Sequence, residues 1–80
     1  MITPKEADKL AQEALQDYVN KCQCESDQDA ANVIMKMTSL CGMAMCALVG
    51  HAEAVERMVD TTEYVNQTQA GKTWKRATVQ

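Results

Sequence analysis

Pro4 is the only proline among the eighty residues, and no glycine occurs before Gly42. A chain so poor in turn-forming residues has few places at which to reverse direction sharply. A many-stranded sheet needs Gly, Asn or Asp at each hairpin, so the fold class that remains is all-α. Composition agrees. With no Phe, one Trp and two Tyr, the interior must be built from Ala, Leu, Val, Ile and Met, most of which are good helix formers. A chain of this length makes one domain with a small core, and self-association is a common remedy for that shortage.

Three helices can be placed from local chemistry. Thr3-Pro4-Lys5-Glu6 carries a Thr N-cap, proline at the first helical position and Glu three residues after the cap, which is the reciprocal capping box. The apolar stripe Ala7, Leu10, Ala11, Ala14, Leu15, Tyr18, Val19, Cys22 follows, so a first helix is predicted over about 4–22. Its alanines make the stripe shallow enough for a close neighbour. The polar stretch 23–28 reads as a connection. Asp27 and Asp29 suit the positive end of a helix dipole and start a second helix over 27–49. Gly50 is placed to end it. Ala52, Val55, Met58, Val59, Thr62 and Val65 then give a third helix over 51–66, with Glu53 and Arg57 as an i,i+4 pair. A lone glycine costs a helix only about 1 kcal/mol, so a long helical hairpin, with the second and third helices fused, is the alternative to a three-helix bundle.

From Leu40 to Val49 the second helix is apolar on nearly every side. A helix without a polar face is buried all round, and two neighbours in so small a chain can barely enclose it. The expectation is therefore a helical homo-oligomer with Leu40, Gly42, Met43, Met45, Leu48 and Val49 at the interface, Gly42 permitting close backbone approach. The same run is about half a bilayer span and is interrupted by Gly42, so no membrane partner is expected. The start of the chain lacks the charged-then-apolar arrangement of a secretion signal, and a cytoplasmic location is expected.

Charge is unevenly distributed. Residues 1–65 carry five basic and eleven acidic side chains, and the remainder carries only Lys72, Lys75 and Arg76. An acidic body repels phosphates, so nucleic acid is not an expected partner of the folded part. Residues 67–80 lack apolar periodicity and read as an extended or partly ordered basic tail. Within it Trp74 lies between basic residues. A stacking face flanked by phosphate-binding cations suits a nucleotide or another phosphorylated compound, which makes Lys72, Trp74, Lys75 and Arg76 an alternative, ligand-binding site. Docking of Trp74 on the acidic helices is the structural reading of the same residues.

Catalytic signatures are missing. His51 stands alone at a helix boundary, no Glu-x-x-His pattern suggests a metal centre, and Gly71-Lys72-Thr73 lacks the earlier glycine of a phosphate-binding loop. An enzyme is not expected, nor is a cofactor. Cys22 and Cys24 form a C-x-C pair, while Cys41 and Cys46 fall on different faces of their helix. All four are read as reduced, buried small hydrophobes, with a zinc or redox site shared between Cys22, Cys24 and either another thiol or His51 as the alternative. The methionines are read as gap fillers in a core without Phe, or else as an adaptable binding face.

In size, acidity and lack of catalytic machinery the chain is similar to small phage-encoded helical proteins that bind and block host factors or sequester signalling nucleotides. That likeness is one of general character, rests on no motif and transfers no residue. The function expected is a non-enzymatic module that binds itself and a partner protein, blocking or scaffolding that partner.

Overall fold

The computed structural model describes residues 1–71. Among them the chain is entirely helical, with no strand: α1 spans Pro4–Lys21, α2 Asp27–Val49 and α3 His51–Gln69. The chain divides into two compact units, one comprising Met1–Lys36 and the other beginning at Met37, so that α2 contributes its first part to one and the rest to the other.

In the first unit the local signals act as their chemistry dictates. The Glu6 amide donates to Thr3 Oγ1 at 3.1 Å, and the Thr3 amide donates back to Glu6 Oε1 at 3.0 Å. The capping box is thus closed in both directions, with Pro4 in the first turn, where its missing N–H costs nothing. These bonds hold the Glu6 carboxyl below the usual glutamate range, the bond from the Thr3 backbone contributing most. At the other end Cys22 caps the helix and its amide reaches the Tyr18 and Val19 carbonyls at 3.1 and 3.2 Å. Gln23 then takes a positive φ of 55°, the left-handed turn by which many helices stop. The polar connection is short. Ser26 Oγ accepts from the Asp29 amide at 3.0 Å and so caps α2, while the Asp29 carboxylate accepts from the Glu25 amide at 3.2 Å.

Packing within this unit is thin. Val19 is its one buried residue, with Tyr18, Ala30, Val33 and Ile34 half-buried. Tyr18 joins the two helices by donating its hydroxyl to the Val33 carbonyl at 2.8 Å. Loss of solvent around the phenol raises its pKa above the ordinary value of 10.0, and the nearby Cys22 thiol adds to the shift.

The second unit turns on Gly50, the only residue between α2 and α3. Its φ of 91° and ψ of 160° lie in a region that only glycine occupies readily. Its amide still donates to the Cys46 carbonyl at 3.0 Å, and its carbonyl accepts from Ala54 at 3.0 Å, so both helices keep their ladders up to the joint. The break expected at Gly50 is present, and the fused rod is not formed. The two arms fold back on each other: Gly42, eight residues before the joint, meets Met58, eight residues after it. α3 runs to Gln69, three residues beyond the predicted end. Apolar periodicity had stopped, but the backbone ladder continues, the Ala70 amide still donating to the Asn66 carbonyl at 3.1 Å; Gln67 also donates to Glu63 at 3.2 Å along the surface. Ala70 and Gly71, the latter with a φ of 73°, end it. The Glu53–Arg57 pair forms at 2.8 Å.

Three outcomes follow. Gly50→Ala introduces a Cβ at a backbone geometry that L-residues avoid and should cost about 1–3 kcal/mol, read from the urea midpoint. Thr3→Ala opens the capping box and should cost about 1 kcal/mol. Because the Glu6 pKa is lowered on folding, its share of that stability is present above the unfolded carboxyl pKa and is lost as pH falls through the folded one; the Thr3→Ala deficit should shrink in acid. Tyr18 shifts the opposite way. Its contribution is present below pH 10.0 and is lost on alkaline titration as the phenol ionises, a loss that Tyr18→Phe should not show in a circular-dichroism pH series.

Candidate interaction surface

At about 100° per residue the second half of α2 presents two faces. Gly42, Met45, Cys46 and Val49 occupy one, within an arc of roughly 100°. Leu40, Met43, Ala44, Ala47 and Leu48 occupy the other, within roughly 140°. Burial follows that division. Gly42 is buried and Met45 and Cys46 are half-buried, Val49 at the helix end is exposed at 40%, and all five residues of the second face are exposed.

The first face is turned towards α3. A Cβ built on Gly42 would lie 2.7 Å from both Cε and Sδ of Met58, so glycine is what lets the Met58 thioether lie against the α2 backbone. Ala54 is fully buried in the same unit. Two small residues, one on each arm, therefore make the centre of this packing, with Met58 filling the gap between larger neighbours. The close approach expected at Gly42 is between backbones of separate copies; what lies against Gly42 here is the Met58 side chain of the same chain. Met45 and Val49 lie on the same side of the helix as Gly42.

The second face is uncovered. Leu40, Met43 and Leu48 retain 61, 67 and 81% of their accessible surface. The expectation for residues 40–49 is a segment too apolar for so small a chain to enclose; among the described residues α3 packs on one face of this segment, and the other face is exposed. Met35, Val55, Val59, Tyr64 and Val65 are exposed as well. On α3, Val55, Met58, Val59 and Thr62 line a shallow, mainly apolar depression. Scattered exposed apolar residues are ordinary. A contiguous row on one helix is not, and such a row marks a site of interaction.

The helix that carries this row is also longer than its apolar core. α2 has 23 residues and, by length and composition, is able to cross a membrane, with only 6% of its most apolar eighteen residues buried. The half-span length of Leu40–Val49 is therefore no argument against a bilayer.

The remaining candidate residues are not brought together. His51 is exposed at the first position of α3. Cys22 and Cys41 are exposed, and Cys24 and Cys46 are half-buried, which corrects the reading of all four as buried. Cys22 sits at a helix cap, where the chain turns into solvent, and Cys41 projects from the side of α2 away from the buried Gly42. Among the described residues no three His, Cys, Asp or Glu side chains converge in a way that could hold a metal ion. Lys72, Trp74, Lys75 and Arg76 lie outside the described residues, as does the rest of the expected tail beyond Gly71. Comparison of the chain with family models, with curated proteins and with solved structures returns no match.

Replacing Gly42 by a larger residue tests the Met58 contact. Gly42→Ala meets only the flexible end of Met58 and gains about 1 kcal/mol in helix propensity, so its net effect should be small. Gly42→Leu adds more than Met58 can yield to and should lower stability by about 1–3 kcal/mol, measured by chemical denaturation.

Proposed function

We propose that this chain is a non-enzymatic helical interaction module, which associates with further copies of itself through the outward face of α2 and, so assembled, binds a partner protein to block or scaffold it. The observation that carries this reading is the row Leu40, Met43, Ala44, Ala47, Leu48, left open on a helix whose opposite face is already occupied. Burial of such side chains yields about 1.5–3 kcal/mol each, which favours any partner able to cover them. No charged residue interrupts positions 37–49, so copies of an otherwise acidic body can meet there without like charges opposing each other.

A second reading rests on the length of α2. Inserted in a bilayer, the same row would face lipid. The flanks of the helix oppose this: Asp27 and Asp29 stand at one end and Glu53 and Glu56 just past the other. Juxtamembrane segments favour Lys and Arg, and anionic headgroups repel carboxylates.

Native mass spectrometry of the reduced chain separates these readings. A dimer or higher assembly from aqueous buffer, without added mass, is the expected result; a monomer at micromolar concentration would remove the self-association reading. Leu48→Asp should shift the assembly to monomer. Because Leu48 is 81% exposed in the single chain, that monomer should keep its helical circular-dichroism signal.

A further inference from the structure

The outward row of α2 has a symmetry of its own. Leu40, Ala44 and Leu48 follow one another at i, i+4 and i+8, one ridge along the helix surface with a small residue at its centre and a leucine on either side. Such a ridge fits a copy of itself. Two ridges crossing at their alanines bring the backbones close, and each flanking leucine drops beside the centre of the other helix. Two-fold pairing is also the commonest way for identical chains to associate.

Two arrangements satisfy that fit, one with the helices parallel and one antiparallel, and charge distinguishes them. Lys36 stands one turn before Leu40 on the same side of α2, and it is the only charged residue of the helix after Asp29. Among the described residues no ion pair joins it to a carboxylate. At the other end, the last turn of α2 carries no basic residue of its own, although helix C-termini favour a nearby cation. With an antiparallel pair crossing at Ala44, position 36 of one copy falls about 4.5 Å beyond Val49 of the other along the α2 axis, just past the end of that helix. Lys36 then supplies the missing cation. A parallel pair instead sets Lys36 against Lys36 and the acidic starts of the two helices, Asp27 and Asp29, against each other.

We infer that the outward face of α2 is the seam of an antiparallel, two-fold homodimer, in which Leu40 of each copy packs against Leu48 of the other about Ala44, and Lys36 caps the C-terminal end of the other copy's α2. This inference rests on the self-association proposed above and specifies its geometry.

Charge exchange across the seam provides the test, read by sedimentation velocity of the full chain under reducing conditions. Leu40→Lys alone and Leu48→Glu alone should each give monomers, since each leaves two charges against leucines. The double variant Leu40→Lys/Leu48→Glu should dimerise again, because antiparallel pairing sets each Lys against a Glu. Both positions are exposed in the single chain, and circular dichroism confirms that the variants remain helical. Lys36→Glu should weaken the dimer by roughly tenfold, two helix ends being affected at once, and the loss should diminish with added salt. A wild-type chain that is monomeric overturns the self-association reading itself. A wild-type dimer whose single variants dissociate but whose double variant does not re-form overturns the antiparallel seam alone, as does a dimer indifferent to all of these substitutions. Flotation of the wild-type chain with phosphatidylcholine vesicles, with no dimer in buffer, overturns both in favour of lipid.

Discussion

One residue separates α2 from α3, and the packing of the second unit depends on it. A joint that short brings the arms together almost at once. Eight residues from Gly50 each helix has risen only about 12 Å, and there Gly42 and Met58 must already share space. The backbone at Gly50 takes a conformation open to glycine, and the first contact beyond it favours a small residue at position 42. The two positions are coupled by geometry: a longer connection would relax the demand at Gly42, and a residue as large as leucine there would crowd Met58 and strain the joint.

That arrangement has a cost in coverage. α2 is the most apolar of the three helices, yet close packing at Gly42 occupies only one side of it. The first unit is hardly richer, with Val19 buried and the Tyr18–Val33 hydrogen bond tying its helices. What results is a chain whose secondary structure is well specified by caps and breaks, and whose apolar surface is largely unspent.

The caps and breaks were legible in the sequence because each is a local transaction. Thr3 and Glu6 are three residues apart, Asp27 and Asp29 open α2 as expected, and Gly50 needs no distant residue to act. Misreadings arose where the deciding partner was elsewhere. Periodicity ended the third helix at residue 66, whereas the backbone ladder, which needs no apolar face, runs on to Gln69. The apolar decade 40–49 announced that burial was wanted without saying which neighbour would provide it; Gly42 finds Met58 in the same chain, while Leu40, Met43 and Leu48 stay largely exposed among the described residues. Cysteine composition suggested an interior role, but a helix cap placed Cys22 outside. Whether Lys72, Trp74, Lys75 and Arg76 bind a ligand is a separate matter from the helical surfaces, since those residues fall beyond the last described turn.

The reach of the tertiary contacts has a kinetic consequence. Tyr18 bonds a carbonyl fifteen residues on, and Gly42 meets a side chain sixteen residues on. Loops of that size close in well under a microsecond, and helical chains dominated by such local contacts fold in microseconds to milliseconds. Each unit can therefore form as its own stretch of chain leaves the ribosome. The assembly proposed above depends on concentration and would then be the slow step, so that the abundance of the chain in its surroundings would decide when its open helix face is covered.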